Sequence, residues 1–180
     1  MTRRPMPLFA GACLTICLLF APPADAQAPV PCDSLPGFHA LDFWLGEWEV
    51  KVGSTLAGTN RIEKTLNGCA VIEHWEGTGG GNGMSLFFYN HATDTWKQVW
   101  VTEYATAVGG LKEKTAVAGA PPGALRFQGV VRLRDGREML DRTTLSAHDG
   151  GTVRQVIETS TDGGATWQVR FDAIYARPSP

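Results

Sequence analysis

Three stretches decide the fold: Ala70-Val71-Ile72-Glu73-His74-Trp75-Glu76, Met84-Ser85-Leu86-Phe87-Phe88-Tyr89 and Trp96-Lys97-Gln98-Val99-Trp100-Val101-Thr102. Each is six or seven residues long, rich in β-branched and aromatic side chains, and bounded by Gly, Asn or Asp turn signals. In the first, Glu73 and Trp75 oppose Ile72, His74 and Glu76. In the third, Trp96, Gln98 and Trp100 oppose Lys97, Val99 and Val101. A period of two is the signature of a half-buried strand. The middle stretch is apolar or small on both faces, which predicts burial on both sides.

Outward from these, the same pattern predicts strands at 43–52, 59–65, 109–116, 125–133, 137–146, 152–160 and 167–176, ten in all. Helical periodicity is almost absent. Asn67-Gly68 and Asp135-Gly136 are pairs that tolerate the positive φ of tight hairpins. Short hairpins join only antiparallel neighbours. A meander of them predicts an all-β fold, a single antiparallel up-and-down β-barrel of about ten strands, because closure leaves no exposed sheet edge. Residues 33–41 have room for one short helical turn before the first strand. The expected organisation is therefore a leader over 27–41 and one barrel domain over 42–177.

The 180 residues carry a net charge of −2, with 43% hydrophobic and 19% charged side chains. That length is a prior for one domain, and a near-neutral balance lacks the basic excess of a nucleic-acid binder. Arg3 and Arg4 precede an uncharged stretch over 8–21, then Pro22-Pro23 and the small-x-small site Ala24-Asp25-Ala26. This predicts a signal peptide over 1–26 and a periplasmic or secreted protein. The apolar run is shorter than the roughly 20 residues a membrane helix needs, and no later run is long enough. Cleavage removes Arg3, Arg4 and Asp25, moving the net charge from −2 to −3. It leaves Cys32 and Cys69, an even pair that points to one disulfide in an exported chain. The competing reading is two buried free thiols.

Gly46-Glu47-Trp48 at the start of an antiparallel chain resembles the G-x-W element of the calycin superfamily, which includes lipocalins. The resemblance implies a barrel floor in which Trp48 is covered by an Arg of the last strand, here Arg177, with Arg170 the alternative. The wider series, 42–48, Asn67-Gly68-Cys69, Glu73-x-Trp75, Trp96-x-Gln98-x-Trp100 and Tyr175-x-Arg177, resembles an exported bacterial family of calycin-like domains of unknown function. It implies a fold and carries no reaction with it. The T-D-Y motif of true lipocalins is missing.

Glu73-His74-Trp75-Glu76 is the densest ionisable cluster. Glu73 inside an apolar barrel would have a raised pKa and is the candidate catalytic acid or base. The competing reading pairs it with Arg142 or Arg154 as a structural carboxylate. His39, His74, His91 and His148 show no metal-ligand spacing, so neither metal nor cofactor is expected. Residues 77–83 lack the Lys-Ser/Thr ending of a phosphate loop and read as a rim loop. Residues 160–167 fit an Asp-box, read as a hairpin in which Ser and Asp bond backbone groups.

Six tryptophans in such a chain call for a cavity or a very large core. The expectation is a lumen lined by Trp75, Tyr89, Trp96 and Trp100, with Glu73, Gln98, Arg142 and Gln155 orienting polar groups of a small apolar or amphipathic guest. Two rivals stay open: a barrel enzyme working through Glu73, and a cell-envelope interaction module with a filled barrel. Apolar outward residues such as Val99 and Val101 add a homodimer as a further expectation.

Overall fold

The computed structural model describes residues 29–104 and 106–179; the predicted signal peptide lies outside them. Ten antiparallel strands close into one barrel. They are β1 (Gly46–Val52), β2 (Thr55–Thr65), β3 (Ala70–Gly77), β4 (Gly83–Asn90), β5 (Thr95–Thr102), β6 (Leu111–Ala116), β7 (Ala124–Arg132), β8 (Glu138–His148), β9 (Thr152–Ser160) and β10 (Gln168–Ala176). Each pairs with its neighbours in sequence, and β1 pairs with β10 to complete the ring. The seam between β6 and β7 has the shortest register, paired only at Thr115↔Gln128 and Ala116↔Phe127. Among the described residues no helix is long and apolar enough to cross a membrane.

Strict alternation sorts the side chains. Val71, Glu73 and Trp75 point inward from β3, as do Ser85, Phe87 and Tyr89 from β4 and Trp96, Gln98 and Trp100 from β5. The middle stretch is not buried on both sides: Met84 (43% exposed) and Leu86 (39%) face outward beside Val101 (40%). Those residues make an apolar stripe on the outer wall.

One end of the cylinder is stoppered. The leader forms three short 3-10 turns, Cys32–Ser34, Pro36–His39 and Asp42–Trp44, in place of one helical turn, and the last turn takes the beginning of the predicted first strand. Trp44 is fully buried, edge-on to Phe87 at 5.5 Å and to Tyr175 at 6.0 Å. Trp48 Nε1 donates to the Trp44 carbonyl at 2.8 Å, and Trp96 Nε1 donates to the Gly37 carbonyl at 3.0 Å. Phe38 meets Tyr89 edge-on at 5.0 Å. The Arg177 guanidinium lies 3.7 Å from the Trp48 ring centroid and donates to the Leu45 carbonyl at 2.8 Å. Such a cation–π contact is worth about 0.5–2 kcal/mol.

Two fasteners hold the stopper in place. The Cys32–Cys69 disulfide ties the leader to the turn between β2 and β3; closing a 37-residue separation is worth roughly 3–4 kcal/mol in the chain-entropy model. Lys64, on β2, reaches Asp33 and Asp42 at 2.9 Å each.

Candidate functional site

The other end of the barrel is hollow. Alternation continues inward past the apolar layer of Phe87, Phe127 and Leu145, but the residue types change. The next positions are Asn60, Glu73, Ser85, Gln98, Lys114, Thr143 and Gln155, all nine-tenths or more buried. Beyond them come Trp75, Trp100, Lys112, Ile157 and Phe171. Residues of both layers and Tyr175 enclose a chamber of about 210 Å³, lined by Glu73, Trp75, Gln98, Trp100, Lys112, Lys114, Thr143, Gln155, Ile157, Phe171 and Tyr175; Asn60 and Ser85 stand behind Glu73. By the ~30 Å³ share of a liquid water it holds roughly seven, and it is smaller than the about 300–1,000 Å³ pockets of drug-sized ligands. A guest must be small.

Glycines make that space. A Cβ at Gly58 would sit 2.8 Å from the Trp75 indole, and one at Gly83 would sit 2.4 Å from the Trp100 indole. Both indoles therefore lie along the wall and leave the lumen open. A Cβ at Gly129 would meet the Glu113 carbonyl at 2.0 Å and Lys114 Cγ at 3.2 Å. Glycine at that point of β7 lets β6 pass close by, so its lysines reach Asp141 on β8.

The polar layer has two wings. In one, Ser85 Oγ donates to Glu73 Oε2 at 2.6 Å, Asn60 Nδ2 donates to Glu73 Oε1 at 2.8 Å, and Gln98 Nε2 donates to Ser85 Oγ at 3.0 Å. This chain fixes both amides with their N–H₂ groups toward the carboxyl. Asn60 Oδ1 and Gln98 Oε1 are left buried without a partner. Burial pushes the Glu73 pKa up, against the two hydrogen bonds and the lysines that pull it down. Tyr175, donating to Gln155 Oε1 at 2.8 Å, is pushed well above the usual phenol range by burial and by the nearby Glu73 charge.

In the other wing Asp141 receives two ammonium groups. Lys112 Nζ is 2.8 Å from Oδ2 and Lys114 Nζ contacts Oδ1; Lys114 also donates to Thr143 Oγ1 at 2.6 Å. Burial raises the Asp141 carboxyl, and the two lysines outweigh it, so the pKa ends below the usual value. Burial lowers the Lys114 ammonium to about 8, against Asp141 and with help from Lys112.

Of the predicted lining, Glu73, Trp75, Gln98, Trp100 and Gln155 come together in the chamber. Tyr89 and Trp96 point inward but serve the stopper at the opposite end. Arg142 is on the outer wall, between inward Asp141 and Thr143; it forks onto Glu158 at 2.7 and 3.0 Å and lies 3.8 Å from the Trp167 ring centroid. Arg154 is outward too, paired with Asp172. The expected Glu73–arginine pair is therefore replaced by Ser85 and Asn60, with lysines nearby. Lys112, Lys114, Asp141, Thr143, Ile157 and Phe171 were missed. Their signal was the alternation Lys112-x-Lys114 and Asp141-x-Thr143, together with Gly129 opposite.

The remaining motifs lie elsewhere. His74 is on the outer wall against Glu63 at 3.1 Å, and His39 bonds Asp42 at 2.6 Å on the leader. Among the described residues no three His, Cys, Asp or Glu side chains gather as a metal site would require. The Gly-rich rim loop is pinned by Glu103, which accepts from Gly81 N at 2.9 Å and Asn82 N at 3.1 Å. In the Asp-box hairpin Asp162 accepts from Thr166 N at 3.0 Å and from Thr166 Oγ1 at 2.6 Å, and Ser160 Oγ accepts from Gly164 N at 2.8 Å. A wider depression of about 750 Å³ lies between the segment before β6 and the β7–β8 turn. Every charged side chain in its lining is exposed, so it lacks the desolvated polar groups that the chamber concentrates. No model of a known protein family matches the chain, and no match is found among curated proteins.

Proposed function

We propose that this is an exported binding protein that holds one small amphipathic molecule in the open half of its barrel. The observation that carries the reading is the unpartnered acceptor Gln98 Oε1 in a chamber walled by Trp75, Trp100, Ile157 and Phe171. A buried acceptor without a donor costs about 1–3 kcal/mol, and a guest carrying an N–H or O–H group relieves that cost. The indoles and Phe171 supply a flat apolar contact, and the lysines supply spare donors for an acceptor on the same guest. The disulfide fits an oxidising compartment. As a catalytic carboxylate Glu73 is less well placed, because both its oxygens are occupied by side chains of its own wall.

Tryptophan fluorescence against a panel of single-ring phenols, amines, acids and alcohols tests the reading. Saturable quenching that Trp100→Phe weakens is the expected result. No quenching by any member of the panel, with native mass spectrometry showing no small molecule on protein purified from its own host, overturns it.

A further inference from the structure

Lys112 and Lys114 are the chamber's most unusual groups. An ammonium has three N–H donors. Lys114 has two protein partners, Asp141 and Thr143, and Lys112 has one, Asp141. Both line the chamber that a guest would enter. Lysine becomes a nucleophile when it is desolvated in an apolar pocket or set beside another cation. Lys114 meets both conditions: its side chain is 2% exposed, and Lys112 is held to the same carboxylate. A purely structural ion pair needs one ammonium on Asp141, and here a second is brought in across the space that Gly129 leaves.

We infer that Lys114 forms a covalent imine with a small aromatic aldehyde or ketone admitted to the chamber. The inference rests on the chamber accepting a small amphipathic guest and specifies the class of that guest. Solvent in the open chamber takes one proton from the Lys114 ammonium and frees the nitrogen lone pair. Nζ then bonds to the carbonyl carbon while the C=O π pair moves to oxygen. The nitrogen loses a proton and the oxygen gains one, with Lys112 as the relay, to give the carbinolamine. The hydroxyl takes a proton back from solvent, the C–O bond breaks and water leaves. The nitrogen lone pair forms the N=C bond. The net change is ammonium plus carbonyl compound giving protonated imine plus water, with no oxidant or reductant consumed. Trp75, Trp100 and Phe171 would flank the ring of the carbonyl compound, and Gln98 Oε1 would accept from a ring hydroxyl. The lowered Lys114 pKa of about 8 leaves a useful neutral fraction near neutrality.

The test is reductive trapping. The folded protein is incubated with benzaldehyde and cyanoborohydride from pH 6 to 9, and modified lysines are located by peptide mass mapping. Lys114 should be modified at least about tenfold faster than Lys51 and Lys97, which are exposed. Its rate should level off above pH 8, and Lys114→Met should abolish the fast phase. Should that variant fail to fold, competition in the unaltered protein decides. Benzyl alcohol, which fits the same space and forms no imine, must slow labelling of Lys114 and leave Lys51 and Lys97 unchanged. Labelling of the surface lysines with Lys114 spared overturns the inference. If benzyl alcohol still quenches tryptophan fluorescence in that case, the binding reading survives; if it does not, both fall.

Discussion

The two halves of this barrel share one wall and differ in what fills it. The stoppered half stacks Phe38, Trp44, Trp48, Phe87 and Trp96 with buried aliphatics; the Trp48 and Trp96 indole N–H groups bond to backbone, and Trp44 Nε1 is its one buried side-chain donor without a partner among these rings. The open half uses the next inward position, two residues away along each strand, for Glu73, Ser85, Gln98, Thr143 and Gln155, and Lys114 joins them from β6. The first half supplies stability. The second spends some of it to keep a polar, partly unsatisfied space. Dry packing and a charged lumen coexist because the leader closes one end, so water and guests approach only from the other.

Truncating an aromatic in each half gives the largest test of that division. Trp44→Ala should cost about 3–5 kcal/mol, the range for deleting a fully buried large aromatic, whereas Trp100→Ala should cost under about 2 kcal/mol. Chemical denaturation midpoints at constant m-value read both. Equal costs would erase the distinction. Reducing Cys32–Cys69 comes next, at roughly 3–4 kcal/mol, with amide exchange accelerating first in the leader and the β2–β3 turn.

The pH dependence should come from the open half. Glu73 has a raised pKa in the folded state, so its contribution is full below the ordinary carboxylate value and is lost as pH rises through the folded one. Glu73→Gln should remove that decline and be at least as stable as the parent at pH 8. Lys114 runs the other way. With its pKa lowered to about 8, the unfolded chain binds more protons between about pH 8 and 10.4, and stability rises with pH there. Lys114→Met should flatten that rise in thermal melts. Arg177→Ala on the floor should cost only about 0.5–1 kcal/mol. Smallest of all, Arg142→Gln on the outer wall should leave fluorescence quenching unchanged.

Most strand positions were legible because period-two patterning and turn residues are local signals. The Asn67-Gly68 and Asp135-Gly136 turns and the Cys32/Cys69 pair are of that kind. Height along the barrel axis is not a local signal. Trp96 and Trp100 look equivalent in sequence, and only the docking of the leader gives Trp96 to the stopper. Charge misled in both directions. Arg142 looked like a partner for Glu73, though Asp141 and Thr143 on either side take the inward positions. Lys112 and Lys114 did not enter the predicted lining, because a charged side chain is rarely buried unpaired and their partner is two strands away across a glycine.

Since β1 closes against β10, and Arg177 covers Trp48, the first strand has no final neighbour until the last has emerged. The polypeptide cannot finish its ring piecemeal during synthesis. A closing pairing this distant in sequence is slow to form, and in the meantime β1 offers an unsatisfied edge to any passing strand. Timing, as much as energy, is therefore a vulnerability of this architecture, and a chaperone that shields the N-terminal strand would act at the step that needs it.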